Sequence, residues 1–171
     1  MEPYVRELAG PDLPQLVELC REHAAYERAA WDSTDVLREE RLDALFLTGA
    51  SAAERGAQAW VVDAGGRLVG FATTSLERST WDARCYLHLD CIYLEEPWRG
   101  RGLGMAMMTH AAKLAVTLGA VNMQWQTPAW NEDAARFYRR LGTKEAKKLR
   151  FTLQPDACAR LASPTPDTNR R

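Results

Sequence analysis

Residues 86–104, with the sequence YLHLDCIYLEEPWRGRGLG, constrain the fold more than any other stretch of the chain. Residues 86–94 are mostly apolar and β-prone, which is typical of a strand buried on both faces. Pro97 has no amide hydrogen to donate to a strand ladder, so the strand is expected to end before it. An apolar-periodic segment over residues 103–118 then predicts a helix that stops at Gly119. The stretch therefore predicts a central strand that leads through a short loop into a helix.

The loop over residues 99–104, RGRGLG, has the features of an anion site. Glycines let backbone amides approach a ligand closely, and a helix start offers unpaired amides and a positive dipole end to phosphate. The Walker pattern is excluded because no Lys followed by Ser or Thr occurs here, and the dinucleotide pattern is excluded by the glycine spacing. The loop therefore predicts a phosphate site of another kind.

Asp90 lies in the middle of the predicted strand. A carboxylate in such a strand is costly to bury without a partner or a path to water. Two interpretations stay open: Asp90 is a structural acid whose hydrogen bonds are satisfied within the fold, or it takes part in the chemistry.

The length, composition and charge of the chain limit the class of protein to which it can belong. The 171 residues are 46% hydrophobic and 26% charged, which fits one globular domain with a sizeable core. The net charge of -1 provides no basic field for nucleic acid or an anionic membrane. No apolar run could span a bilayer and no signal pattern opens the chain, so a cytoplasmic protein is expected. The four cysteines and three histidines form no metal-like pattern, so reduced cysteines and no metal are expected.

Periodicity and turn residues predict the remaining elements. Strands are predicted at residues 4–7, 57–63, 68–75, 122–127 and 146–153. Helices are predicted at residues 13–25 behind an Asp12 cap, at 35–47 behind an Asp35 cap with Leu37, Leu42, Leu45 and Phe46 inward, and at 132–141. Loops are predicted at residues 49–56 and 77–84, with a glycine-bearing hairpin turn at 64–67. Residues 154–171 contain three prolines and little apolar content, which predicts a flexible tail.

Residues 18–43 are rich in acids. They contain eight carboxylates and four arginines, a difference of -4. Two interpretations stay open: the acids form solvated helix faces, or some of them attract a cationic amine.

Two motifs resemble those of a known superfamily. Arg99, Gly102 and Gly104 satisfy the Arg/Gln-x-x-Gly-x-Gly/Ala motif with which the GCN5-related N-acetyltransferases (GNAT superfamily) bind acetyl-CoA. Residues 130–142, WNEDAARFYRRLG, resemble the WNxxAxxFYxxxG segment of that superfamily, in particular of its diamine (spermidine/spermine) acetyltransferase-like branch. The resemblance covers roughly residues 4–153.

The resemblance implies an α/β fold. Its centre would be a mostly antiparallel sheet of about six to seven strands, with splayed central strands and about four flanking helices. It also implies a single acetyltransferase domain over residues 1–153, followed by the tail over 154–171, and a homodimer.

The implied activity is the direct transfer of an acetyl group from acetyl-CoA to a primary amine of a small molecule. The amine would be a polyamine, a lysine analogue or another amino compound. Two alternatives stay open, an acetyltransferase for a protein or peptide amine and a non-catalytic acyl-CoA-binding module. Residues 77–84, in which Trp81 is the single aromatic residue, and residues 143–148 lack the aromatic-rich sequence usual in that branch, which leaves the amine's identity undetermined.

The resemblance further implies a donor site. The pyrophosphate is expected on the amides of residues 99–105, and the pantetheine along the strand at residues 92–94, with an amide near Ile92 stabilising the oxyanion. Asn131 is expected to bind the pantetheine amides, to cap a helix, or both. The expected donor-binding residues are Ile92, Tyr93, Leu94, Arg99, Gly100, Arg101, Gly102, Leu103, Gly104, Met105, Asn131, Ala134 and Tyr138.

The resemblance also assigns the proton transfers. Asp90 aligns with the acid that removes the ammonium proton in the diamine branch, and Tyr138 aligns with the tyrosine that protonates the departing thiolate. An alkylammonium has a pKa of roughly 10.4, so a base is required at neutral pH. A phenol of pKa about 10 can donate to a thiolate of pKa about 8.5 when the two are held close.

The expected acceptor-binding residues are Tyr26, Glu27, Trp31 and Asp90. Tyr26 and Glu27 match a Tyr-Glu pair of the diamine branch. An aromatic ring beside a carboxylate suits an alkylammonium, because the cation gains from the charge and from the ring face. The other interpretation of Tyr26 and Trp31 is packing under a loop.

Overall fold

The computed structural model describes residues 2–49 and 51–163. The chain divides between Pro128 and Ala129 into two compact units, here called the N-terminal and C-terminal units. The N-terminal unit contains strands β1 (Tyr4–Glu7), β2 (Ala57–Asp63), β3 (Leu68–Ser79), β4 (Arg84–Leu94) and β5 (Met123–Gln124), and helices α1 (Leu13–Tyr26), α2 (Arg38–Phe46), α3 (Ala52–Arg55) and α4 (Leu103–Thr117). The C-terminal unit contains α5 (Glu132–Arg139) and α6 (Pro155–Ala162).

The sheet has the order β1-β2-β3-β4-β5. Its first three pairings are antiparallel, and β4 pairs with β5 in parallel. The predicted α/β class and mostly antiparallel sheet are confirmed. The strand number is lower than predicted, since five strands are found in the described residues.

Helices cover both faces of the central strands. Val61 and Phe71 pack in one cluster with Leu16 of α1. Trp60, on the alternate face, contacts His110 of α4 with ring centroids 6.1 Å apart. Because successive residues of a strand point to opposite faces, α1 and α4 lie on opposite sides of the sheet. This double cover explains why the four consecutive residues Ala59, Trp60, Val61 and Val62 of β2 are all apolar and buried. No helix of the described residues is long and apolar enough to cross a membrane.

Residues 146–153 form no strand in the described structure, contrary to the prediction. The alternating apolar residues of this segment are exposed: Leu149, Phe151 and Leu153 expose 84%, 88% and 54% of their surface. An alternating run becomes a strand only where a neighbouring strand completes the hydrogen-bond ladder, and no described strand does so here.

The predicted flexible tail contains α6, which the sequence analysis missed. Pro155 occupies the first turn, where its missing amide is tolerated, and Arg160 pairs with Asp156 one turn earlier at 2.7 Å. Residues 164–171 of the predicted tail lie outside the described residues.

The cap prediction at Asp35 is wrong. α2 begins at Arg38, and the Asp35 carboxylate pairs with Arg41 at 2.8 Å instead of with the helix backbone. Leu42 and Phe46 of this segment pack against the core as predicted. Leu37 and Leu45 are about half exposed, at 45% and 55%.

Smaller differences concern element lengths and one cap. Asp12 stands at the N-cap position of α1, but its carboxylate binds Arg6 and the Ala9 amide rather than the helix. α3 lies within the predicted loop at residues 49–56, β3 continues to Ser79, and β5 is only two residues long. The hairpin turn at residues 64–67 is confirmed, with Ala64 N donating to Arg67 O at 2.8 Å.

Candidate active site

The predicted anion loop leads from the end of β4 into α4. Gly100 and Gly102 have φ values of +74° and +81°, which side-chain-bearing residues rarely adopt. Gly102 is the N-cap residue of α4, no side chain caps this helix, and its first turn contains no acid. The first amides of α4 therefore remain available to an anion, at the positive end of the helix dipole. Buried Leu103 anchors the helix start in the core.

One edge of β4 is open beside this loop. β4 pairs with β5 only at Leu87 with Met123 and at His88 with Gln124, whereas β4 itself continues to Leu94. On the β5 side, residues 89–94 face no paired strand in the described structure. The predicted splay of the central strands therefore corresponds to the point where the β4–β5 pairing ends. An open strand edge can pair with an extended chain that carries amides.

A β-bulge begins this open segment, and the sequence analysis missed it. Thr73 of β3 pairs with Cys91, and Thr74 pairs with Leu89, so Asp90 is an extra residue without a partner on β3. Bulges occur frequently next to active sites, where they redirect a side chain. The Asp90 side chain is exposed, and its nearest polar contact is the Cys91 thiol, whose Sγ donates to Oδ2 at 3.6 Å. The bulge thus turns Asp90 outward instead of burying it.

A group of aromatic and acidic side chains joins the end of α1 to β4. This α1–β4 cluster consists of Glu22, His23, Tyr26, Glu27 and Tyr93. The His23 ring stacks on Tyr93, with centroids 5.3 Å apart, and the Tyr93 hydroxyl donates to Glu22 Oε2 at 3.4 Å. Tyr26 lies 6.4 Å from Tyr93, centroid to centroid. The cluster brings Tyr26 and Glu27, both predicted acceptor residues, beside the strand predicted to hold the donor.

Burial and nearby carboxylates shift two pKa values in this cluster. Burial lowers the pKa of His23, and Glu27 and Asp90 oppose that shift. Burial raises the pKa of Tyr93, and Glu22 raises it further. His23 is therefore neutral at neutral pH although carboxylates surround it.

Arg99 connects the anion loop to α1. Its Nε donates to the Leu94 carbonyl at 2.8 Å, and its guanidinium lies 4.8 Å from the centre of the Tyr26 ring. The Trp31 ring likewise holds the Arg38 guanidinium at 3.9 Å. Both aromatic rings predicted to receive an alkylammonium therefore have one face against a guanidinium group of the chain itself.

Two cysteines lie behind the bulge. Cys20 and Cys91 are free thiols that pack against the core cluster. Burial raises the pKa of Cys20 to about 11 and raises that of Cys91 further, so both are protonated at neutral pH. A protonated buried thiol is a poor nucleophile, which agrees with the predicted packing role.

The second motif lies in the C-terminal unit. Asn131 Oδ1 accepts from the Ala134 amide at 3.2 Å, so Asn131 caps α5. This contact confirms the capping interpretation and brings the predicted residues Asn131 and Ala134 together. Tyr138 lies on α5 beside Phe137, with ring centroids 5.4 Å apart, and is half-buried.

Comparison with known proteins identifies the family that the motifs resemble. Residues 16–143 match the model of the acetyltransferase (GNAT) family. The chain is 26% identical over 147 residues to the thialysine N-epsilon-acetyltransferase of Bos taurus, a match that covers 82% of this chain and 84% of that protein. It is 35% identical over 84 residues to the L-ornithine N5-acetyltransferase of Arabidopsis thaliana. That match covers 49% of this chain but only 37% of the ornithine enzyme.

A solved structure with little sequence identity has the same fold. The structure of an aminoglycoside N-acetyltransferase in complex with CoA superimposes with a TM-score of 0.67 at 17% identity, over 88% of this chain and 98% of that one.

Proposed function

This chain belongs to the acetyltransferase (GNAT) family, and from that premise we propose that it transfers an acetyl group from acetyl-CoA to a primary amine of a small molecule. The observation that carries the proposal is the continuity of the open β4 edge with the uncapped start of α4. The loop amides would take the pyrophosphate, and the open edge at residues 92–94 would pair with the pantetheine amides. A neighbour in the same fold has been solved with CoA.

The α1–β4 cluster supports an amine as the acceptor. Glu27 and Asp90 supply negative charge at the end of α1 and at the bulge, and Tyr26 and Trp31 supply ring faces that hold guanidinium groups in this structure. The relatives named for thialysine and ornithine act on amino acids with a side-chain amine. We therefore place such amino acids first among the candidate acceptors, ahead of polyamines.

The proposed reaction begins when Asp90 removes a proton from the acceptor ammonium. The freed nitrogen attacks the thioester carbonyl, so a C–N bond forms and the C–S bond breaks, while a strand amide near Ile92 stabilises the carbonyl oxygen. Tyr138 gives its phenolic proton to the departing thiolate and receives the remaining excess proton from the nitrogen. The products are the amide, the CoA thiol and one proton.

A panel of amines tests the proposal. The release of free thiol from acetyl-CoA is measured with ornithine, thialysine, lysine, polyamines, aminoglycosides and peptides. We expect release above hydrolysis with at least one small amine. Release with peptides alone would indicate a protein acceptor, and binding of acetyl-CoA without any release would indicate a non-catalytic binding module.

Two variants then test the proton transfers. Tyr138→Phe should keep the affinity for CoA and lower turnover by roughly 10² to 10⁴, as is typical of a general acid. Asp90→Asn should lose most activity at neutral pH and recover part of it as the pH approaches the pKa of the amine. If Asp90→Asn loses the same fraction of the parent activity at every pH, Asp90 does not take part in the proton transfer.

We also propose a homodimer in the cytoplasm. The exposed alternating side chains Leu149, Phe151 and Leu153 form an apolar row that a second chain could cover. The four cysteines are free, which suits a reducing compartment.

A further inference from the structure

His23 is the most enclosed polar ring of the α1–β4 cluster. Only 13% of its side-chain surface is exposed. Its ring stacks on Tyr93 and meets Phe71 edge-on, with centroids 5.8 Å apart. The sequence alone does not distinguish this histidine from a core residue, because both of these rings come from distant strands.

The polar partner of His23 identifies which ring nitrogen can accept a proton. His23 Nε2 lies 3.4 Å from Glu27 Oε1, one turn later on α1. A carboxylate only accepts, so a neutral ring carries its hydrogen on Nε2 and leaves Nδ1 with a free lone pair. The arrangement is that of an imidazole oriented by a carboxylate through Nε2.

The groups around His23 favour the imidazolium once a proton arrives. Glu27 on the same helix and Asp90 on β4 both interact electrostatically with the ring. Neighbouring titratable groups include the Tyr93 hydroxyl, which donates to Glu22, and the neutral thiol of Cys20 one turn earlier on α1. The guanidinium groups of Arg99 and Arg38 interact electrostatically with Tyr93 and Cys20. β3 contributes the uncharged Phe71 ring. The enclosed ring is therefore neutral at rest, and Glu27 and Asp90 favour its protonated form when a proton arrives.

We propose that His23 receives the proton that Asp90 takes from the acceptor ammonium, with Glu27 orienting the ring; this inference rests on the proposed function. The ammonium N–H bond breaks and an O–H bond forms on Asp90. That O–H bond then breaks as an N–H bond forms at His23 Nδ1, and the proton leaves to solvent after the product has dissociated. An imidazole is ordinarily a stronger base than a carboxylate, and Glu27 opposes the lowering of the His23 pKa by burial, so the ring can hold the proton during the attack.

The pH dependence of kcat/KM for the best amine of the panel tests this role, between about pH 5 and 10. His23→Gln should lower kcat/KM by roughly 10² at neutral pH, with unchanged affinity for CoA, and should remove the inflection on the acid limb. His110→Gln, on α4 at the other face of the sheet, is the matched control and should keep the parent profile. Because Glu27 raises the pKa of His23, Glu27→Gln should move the acid limb to lower pH.

A second measurement does not depend on the stability of a variant. The imidazole resonances of His23 in the parent protein should titrate with the same midpoint as the acid limb of kcat/KM. A parent-like profile in folded His23→Gln, or a His23 titration unrelated to the acid limb, would overturn the inference. If the parent releases no thiol with any amine, the proposed function itself fails. If the parent is active and His23→Gln equals it, only the role of His23 fails.

Discussion

At Gly70 the backbone of β3 passes so close to β4 that no side chain fits. A Cβ atom there would lie 2.7 Å from the carbonyl oxygen of Tyr93 and 2.7 Å from Cδ1 of Leu94. The first of these is a backbone atom, so the strand itself would have to move. Tyr93 and Leu94 end the strand from which the anion loop departs, so the close approach at Gly70 positions the strand end beside the proposed donor site.

Gly70→Ala should therefore lower both stability and donor binding. Forcing a methyl group into this contact should reduce the free energy of unfolding by about 1 to 3 kcal/mol and weaken the affinity for acetyl-CoA. Denaturant unfolding and calorimetric titration with CoA would measure the two effects. Gly10→Ala is the control, because a Cβ there meets nothing within 4 Å. Equal stability of the two variants would contradict the expectation.

Arg6 and Asp12 form a mostly buried ion pair at the start of α1. Arg6 Nη1 and Nη2 donate to the two Asp12 oxygens at 2.6 and 2.8 Å, and Arg6 Nε donates to Asp63 at 3.0 Å. The hydrogen bonds from Arg6 hold the pKa of Asp12 below its usual value of 3.8. A carboxyl whose pKa is lowered by folding adds stability above its unfolded pKa, and that stability is lost as the pH falls through the folded pKa.

Asp12→Asn should consequently be destabilising in a pH-dependent way. At pH 7 the free energy of unfolding should fall by about 1 to 3 kcal/mol, since hydrogen bonds to a charged group are lost. The difference between variant and parent should shrink as the pH drops below 3.8. Urea unfolding between about pH 3 and 7 would measure it. Asp156→Asn, which removes an exposed pair with Arg160, should hardly change stability and serves as the control.

At the scale of elements, one continuous unit of β4, loop and α4 provides the candidate donor site. The bulge at Asp90 and the end of the β4–β5 pairing open the strand edge, and Gly102 places the uncapped start of α4 at its end. The backbone of the strand edge would form hydrogen bonds with the pantetheine amides of acetyl-CoA, and the amides at the helix start would bind its pyrophosphate.

Gly102→Glu should abolish acetyl-CoA binding without unfolding the protein. The new carboxylate would occupy the phosphate position and repel the ligand, while a Cβ at Gly102 meets nothing within 4 Å. Gly119→Glu, at the other end of α4, is a matched control because Gly119 has a similar φ of +64° and equal space. It carries the same backbone strain and charge, so it should keep the affinity for CoA. Unchanged affinity in folded Gly102→Glu would remove the donor-site assignment.

At the scale of the whole molecule, the two family motifs lie in different compact units. The anion loop belongs to the N-terminal unit, whereas Asn131 and Tyr138 belong to the C-terminal unit. A single domain over residues 1–153 stays a prediction. The C-terminal unit also exposes the apolar row of Leu149, Phe151 and Leu153, which is unusual for a surface in contact with water only.

The oligomeric state tests whether a second chain covers this row. The chain has a mass of 19.2 kDa, so sedimentation at micromolar concentration should give about twice that value for the parent. Phe151→Asp should yield a monomer, because burying a charge in an apolar interface is unfavourable. Val116→Asp, at an equally exposed apolar position on α4, should remain a dimer. A monomeric parent would contradict the proposed dimer.

Features that depend on near neighbours along the chain are predictable from the sequence alone. The bounds of β1 and β2, the turn at residues 64–67 and the start of α4 at Leu103 follow from periodicity and turn chemistry, which act over a few residues. The motif at Arg99, Gly102 and Gly104 is visible in the sequence for the same reason, since its residues lie within one short loop before a helix.

Features that depend on partners distant in the chain become visible in the folded structure. Asp90 became an exposed bulge residue because Thr73 and Thr74 of β3 pair with the residues on either side of it. His23 became an enclosed base candidate because Tyr93 and Phe71 cover its ring. Residues 146–153 alternate as a strand does, yet no described strand pairs with them. Strand pairing and ring stacking are contacts between segments far apart in the chain, and periodicity within one segment carries no information about its partner.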